Sequence, residues 1–148
     1  MKLQDNDLIR EIQREDLTDG FFDLLSQLSG EVIERDSDSL WDLYNKMKPG
    51  IVTMVRLSEG EVDGTATILI ENKLLHCGSR VGHIEDVVVR DGRRTKGLGK
   101  KLIEKCLEIA KDNGCYKVIL DCNEKTIPFY VKCGFKPDGF CMRAEVEE

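Results

Sequence analysis

Long apolar runs are missing from this sequence, and so is an excess of positive charge. No stretch approaches the ~20 apolar residues that a membrane-spanning helix needs. The first ten residues, MKLQDNDLIR, hold no signal-peptide core. Lysine and arginine total 22 against 28 aspartate and glutamate, a net charge of −6, which argues against a general nucleic-acid binder. Any cationic site must therefore be local. Histidine is scarce, with only His76 and His83, and no C-x-x-C pair occurs among Cys77, Cys106, Cys115, Cys122, Cys133 and Cys141. The ligand spacing of a structural zinc site is thus absent, and no metal is expected. With nothing that marks the chain for secretion, the thiols are expected to be reduced, as in the cytoplasm.

What is present fits one soluble globular domain over residues 1–148. The chain is long enough to bury a core without staples, with 41% hydrophobic and 34% charged residues. Internal repeats, low-complexity tracts and linkers are lacking. Leu8-Ile9-Arg10-Glu11-Ile12 reads as a first strand. Asp16 is placed to cap a helix carrying Phe21, Phe22, Leu24, Leu25 and Leu28 at spacings of three and four. A second helix spans about Ser37 to Met47 and stops at Lys48-Pro49-Gly50. Strands follow over Ile51–Leu57 and Val62–Glu71, and Asn72-Lys73 turns the chain into Leu74-Leu75-His76 as part of a β-meander. Further on come a helix from about Lys96 to Asn113, a strand over Lys117–Cys122 and a short helix over Thr126–Cys133. One or two last strands fall within Phe135–Val146. This pattern predicts a single α/β (α+β) domain, its sheet mixed and flanked by about four helices.

Gly82 to Lys101, GHIEDVVVRDGRRTKGLGKK, is the informative stretch. It begins as an apolar β-branched strand interrupted by the acidic pair Glu85-Asp86. It ends in a loop rich in glycine and cations that opens an amphipathic helix. Glycines allow close backbone approach, and the free N–H groups of a helix start attract anions. A Walker A loop fails because Leu98 stands where its lysine is required. The dinucleotide fingerprint fails because Leu102 occupies its third glycine. What remains is R-x-x-G-x-G between a strand and a helix. The acidic pair poses its own problem. Side chains alternate faces along a regular strand, so Glu85 and Asp86 reach one ligand only if a bulge breaks the alternation.

R-x-x-G-x-G in this setting resembles the acetyl-CoA-binding motif of the GNAT superfamily of N-acetyltransferases. The flanks extend the likeness: Gly82 to Val89, Gly114 to Cys122 and Phe129 to Phe135 resemble the superfamily's glucosamine-6-phosphate N-acetyltransferases, in order and spacing. The resemblance implies a sheet that is mostly antiparallel, and acetyl transfer from acetyl-CoA to the amine of D-glucosamine 6-phosphate. The reaction is direct attack in a ternary complex, and the product feeds UDP-N-acetylglucosamine synthesis. Arg94, Thr95, Lys96, Gly97, Leu98, Gly99 and Lys100 would hold the coenzyme's pyrophosphate, with Thr95 standing where many relatives have glycine. The backbone around Val87, Val88 and Val89 would face the thioester and pantetheine, with Asn123 and Lys125 in a later turn.

The same resemblance makes Tyr130 the general acid for the leaving thiolate, since a phenol with a reference pKa near ~10 can donate at neutral pH. It assigns Glu85, Asp86 and Asp121 to the region of the sugar and its amine. Lys73, His76, Tyr116 and Lys117 are implied for the sugar phosphate, Ser26 for a substrate-binding hydroxyl, and a homodimer for a shared site. Relatives carry an arginine near the C-terminus that meets the phosphate. Glu145 occupies that spacing here, and Arg143 lies two residues earlier, on the same side of a strand. Alternatives are an acetyltransferase for another small amine or a protein amine, and a catalytically silent coenzyme-A-binding module.

Overall fold

The computed structural model of the protein describes residues 8–31, 36–92 and 97–147. A five-stranded sheet in the order β1-β2-β3-β4-β5 forms the centre. Its strands are β1 (Leu8–Glu11), β2 (Ile51–Ser58), β3 (Glu61–Asn72), β4 (Arg80–Val89) and β5 (Cys115–Ile119). The first four pair antiparallel, whereas β5 runs parallel to β4. A parallel neighbour requires a crossover, and α4 (Leu98–Asp112) supplies it.

One face of the sheet is covered by α4. Its apolar stripe Leu102, Ile103, Cys106 and Ala110 meets Ala66, Ile68 and Ile84 in a core that includes five positions with no exposed surface. The other face is covered by α1 (Asp19–Ser29) and α2 (Ser37–Met47). Phe21, Phe22, Leu24 and Tyr44 join Val55, Val62 and Val88 there. Two layers of helix thus bury the two faces that alternation along the strands creates. A last short helix, α5 (Ile127–Lys132), leans on the α4 side through Phe129 and Tyr130.

Several local expectations are corrected. Asp16 does not cap α1. Its carboxylate accepts from the Gln13 N–H at 2.7 Å and pairs with Arg10, while the Thr18 hydroxyl caps the helix by accepting from Phe21 N–H. Leu74-Leu75-His76 is not a strand. It enters a tight turn, α3 (Leu75–Gly78), in which His76 and Cys77 adopt left-handed backbone at φ 52° and 59°. The turn is closed by Lys73 N–H donating to the Ser79 carbonyl at 2.9 Å, which lets β3 reverse directly into β4. The strand expected to reach Cys122 ends at Ile119, leaving Asp121 in the loop beyond it. Phe135–Val146 forms no strand in the single chain. An extended segment needs a neighbour for its backbone groups, and among the described residues none flanks this one.

Candidate active site

β4 and β5 diverge. Their pairing runs from Arg80–Cys115 to His83–Ile119 and stops, although β4 continues to Val89. Beyond His83, no strand among the described residues lines that edge of β4. The result is a wedge-shaped opening through the sheet, flanked by Val87–Val89 and by the loop after β5.

On the other edge of β4 the register with β3 shifts. Thr67 pairs with Glu85 and Thr65 with Val88, so Ala66 alone opposes Asp86 and Val87. Asp86 has a left-handed backbone, φ 52°, the conformation that accommodates the extra residue of the bulge and that aspartate adopts more readily than most side chains. The extra residue resets the alternation. Ile84, Val87 and Val89 turn toward α4, and Val88 turns toward α1. Glu85 lines a surface recess with Glu71 and His83, while Asp86 borders the cavity below α1 and α2 with Thr65 and Thr67. Both acids therefore stand on the α1/α2 face and both are exposed. Partial desolvation, then the nearby charges of Asp86 and Asp121, push the Glu85 carboxyl above its ordinary range, with His83 opposing. Three carboxylates are thus concentrated at the opening, from two elements far apart in sequence.

Tyr130 approaches from the α4 side. Its ring packs edge-on against Phe129 and Phe135, with centroids 4.9 and 6.0 Å apart. Burial raises the phenol's pKa, and Cys122 and Cys133 add to the shift, so the hydroxyl stays protonated at neutral pH. Phe129 in turn rests on Gly99 in the first turn of α4: a Cβ there would meet the ring at 3.0 Å. This contact was not legible in the sequence, where Gly99 is accounted for by an anion alone. Gly97 caps α4 with left-handed backbone and no side-chain hydrogen bond, and no acidic residue lies in the first turn. The helix start offers N–H donors of Leu98, Gly99 and Lys100 to an anion, strengthened by the helix dipole. Arg94, Thr95 and Lys96 lie outside the described residues.

The remaining residues sort by place. Asn123 leads into α5, its side-chain oxygen accepting from Thr126 N–H at 3.1 Å. The His76 ring lies 4.6 Å from that of Tyr116, and the Lys117 ammonium sits 5.6 Å above the Tyr116 ring. Lys73 pairs with Glu71 at 3.2 Å. The His76–Tyr116–Lys117 group gathers where β4 and β5 begin, five residues along β4 from Glu85, about 16 Å at the usual rise per residue. Within one chain it does not join the acids. The Ser26 hydroxyl donates to the Phe22 carbonyl of its own helix at 2.9 Å. Arg143 pairs with Glu145 at 2.7 Å in the exposed terminal segment. That segment supplies a residue the sequence did not suggest: Cys141 lies beside Asp121, whose carboxylate raises the thiol's pKa.

A mixed sheet that splays where the parallel β5 leaves the bulged β4, with a glycine-initiated helix lacking a side-chain cap next to it, is an acyltransferase architecture. Residues 8–135 match the model of the acetyltransferase (GNAT) family, and the chain belongs to that family. Among curated proteins, it is 42% identical over 126 residues to the glucosamine 6-phosphate N-acetyltransferase of Trypanosoma brucei brucei, an alignment covering 81% of this chain and 86% of that one. Among solved structures, a Trypanosoma brucei acetyltransferase superposes with a TM-score of 0.88 at 38% identity, covering 95% of this chain and 99% of that one. Glucosamine-6-phosphate N-acetyltransferase from Arabidopsis thaliana superposes with a TM-score of 0.87 at 36% identity, with the same coverage of both chains. Among the described residues, no group of three or more histidines, cysteines or acids is placed to hold a metal ion.

Proposed function

We propose that this enzyme transfers the acetyl group of acetyl-CoA to the amine of D-glucosamine 6-phosphate, the product serving UDP-N-acetylglucosamine synthesis, and that residues 1–148 form its catalytic domain. The bulge that turns both Glu85 and Asp86 to one side of the opening, next to Asp121, carries this reading. A sugar ring has hydroxyls in several directions, and carboxylates accept from each without donors of their own. Relatives named for this activity match over most of this chain.

Acetyl-CoA supplies the acetyl group as an activated thioester. The uncapped start of α4 fits its pyrophosphate, with Gly97, Leu98, Gly99 and Lys100 as the described part of the cradle and Arg94, Thr95 and Lys96 completing it. The open edge of β4 at Val87–Val89 fits an arm that pairs like an added strand, and its amides are placed to stabilise charge developing on a carbonyl oxygen. Asn123 borders this region from the turn after β5. A sugar amine is less basic than lysine and attacks once neutral, so Glu85, Asp86 and Asp121 have to orient it and accept its departing proton. Tyr130, kept protonated by burial, donates to the leaving sulfur.

The functional unit is a homodimer. β5 is the outer strand of the sheet, and the terminal segment exposes Phe140, Met142 and Val146 at even spacing, 97%, 88% and 90% accessible. Such a segment adds as a strand to a second copy. It would bring Arg143 to the partner's site, and the dimer would bring Lys73, His76, Tyr116 and Lys117 of one subunit toward the acids of the other. Ser26 contributes its hydroxyl. The deciding assay measures CoA release with glucosamine 6-phosphate, glucosamine and a lysine peptide as acceptors. The phosphorylated sugar should be preferred by far, and equal rates on all three would overturn the assignment.

A further inference from the structure

The apolar side of α2 is only partly used by the core. Tyr44 is its one buried residue, and Leu43 and Met47 remain 47% and 42% exposed. Below it lies a cavity of about 300 Å³, within the size range of small-molecule sites, walled by Phe21, Leu25, Leu40, Trp41 and Met47. Trp41 stacks on Tyr44 with centroids 5.6 Å apart, an aromatic wall for an apolar ring, while the Lys48 ammonium, 5.1 Å from the Tyr44 ring, is held by Glu11.

The polar groups in the walls are mostly satisfied. The Tyr44 hydroxyl donates to Glu11 and accepts from Thr53 N–H. The Thr53 and Thr67 hydroxyls bond each other at 2.8 Å, and the Thr65 hydroxyl donates to the Met54 carbonyl. Among the described residues, Asp86 is the sole charged one in the lining, and no hydrogen bond or ion pair engages its carboxylate. The amino sugar does not fit this space, since its hydroxyls would be left unpaired against Phe21 and Leu25. An apolar cavity with aromatic walls and one unengaged carboxylate has a complementary ligand of a different kind.

We propose that the cavity below α2 binds hydrophobic primary ammonium ions, aryl-alkyl amines, with the ring between α1 and α2 and the ammonium on Asp86. Because Asp86 also belongs to the acceptor site, such amines compete with the amino sugar there and not with acetyl-CoA. The competition rests on the proposed acceptor; binding itself does not.

Trp41 is the chain's single tryptophan and lines the cavity, so its fluorescence reports occupancy without turnover. The full-length protein is titrated with 3-phenylpropylamine and with its neutral isostere 3-phenylpropan-1-ol. The expected result is a saturable change with both, the amine binding about tenfold tighter at low salt. Asp86→Asn tolerates the left-handed backbone and should bring the two affinities together. Leu25→Phe, which fills the cavity, should abolish saturation with both. A wild-type response that does not saturate, equal affinities, or an amine preference that survives in Asp86→Asn overturns the proposal. So does a response that fades as protein concentration rises, the sign that a second copy covers the cavity. Absence of sugar acetylation alongside an intact fluorescence response would overturn only the acceptor assignment.

Discussion

Gly99→Ala is the substitution that best separates two roles for one glycine. Its backbone is ordinary helix, so alanine brings no conformational strain and favours the helix by up to about 1 kcal/mol. Against this, the new methyl carbon would lie 3.0 and 3.4 Å from two carbons of the Phe129 ring, and 3.7 Å from Val89. The first of these is shorter than van der Waals contact by about half an ångström, and the ring belongs to α5, next to Tyr130. Overpacking of this kind costs about 1–3 kcal/mol. The net expectation is a loss of about 1 kcal/mol, read as a fall in melting temperature of about 3 °C for a domain of this size. Displacing α5 should also lower kcat through Tyr130. Phe129→Leu opens the space, so the double variant Gly99→Ala/Phe129→Leu should be more stable than the sum of its singles by at least about 0.5 kcal/mol. Thermal unfolding of the four proteins, with kcat and KM for acetyl-CoA on each, completes the cycle. An unchanged or higher melting temperature in Gly99→Ala, or additivity in the double variant, refutes the packing argument. A raised KM for acetyl-CoA that the second substitution leaves in place would show that the glycine serves the ligand instead.

Other expectations follow from the same geometry. Tyr130→Phe keeps the ring contacts with Phe129 and Phe135 but removes the proton donor, so kcat should fall with acetyl-CoA affinity unchanged; an unaltered kcat removes Tyr130 from the proposed chemistry. Glu85 has a folded-state pKa raised above the ordinary carboxylate value, so it binds its proton more readily folded than unfolded, and its contribution to stability falls as pH rises between those two values. Glu85→Gln should therefore be the more stable protein at neutral pH, with the advantage vanishing once pH drops below the ordinary value; melting curves across that interval check the sign. Arg56 and Asp63 form an ion pair, each side chain 4% exposed, and Asp63→Leu, which removes one charge of this buried pair, should cost about 3–5 kcal/mol in urea unfolding. Arg56→Met/Asp63→Leu should recover much of that loss. If the proposed homodimer is built through the terminal segment, the protein should sediment as a dimer and lose both dimer and activity, at any enzyme concentration, when residues 139–148 are removed; a dimer that persists would place the interface elsewhere.

Local pattern alone settled a good part of this protein. Spacings of three and four placed α1, α2 and α4, because a helix buries one stripe and the period is written in the residues that line it. α2 begins and ends where expected, at Ser37 and Met47, since Asp36 caps it and Lys48-Pro49-Gly50 cannot continue it. The family was legible in the segments around Glu85, Cys115 and Tyr130, where short-range chemistry leaves a pattern in consecutive residues.

Tertiary structure decided the rest. That Glu85 and Asp86 share a face depends on Ala66 of β3 opposing two residues of β4, a pairing fact invisible in either strand by itself. That Gly99 answers to Phe129 depends on two helices meeting across some thirty positions of chain. The terminal segment reads as strand from its alternating Phe140, Met142 and Val146, yet it forms none in the single chain, because a strand exists only where a neighbour accepts its hydrogen bonds. Helices carry their hydrogen bonds within themselves and so announce themselves in sequence. Strand register, bulges and the opening between β4 and β5 are properties of partners, and only the assembled sheet fixes them.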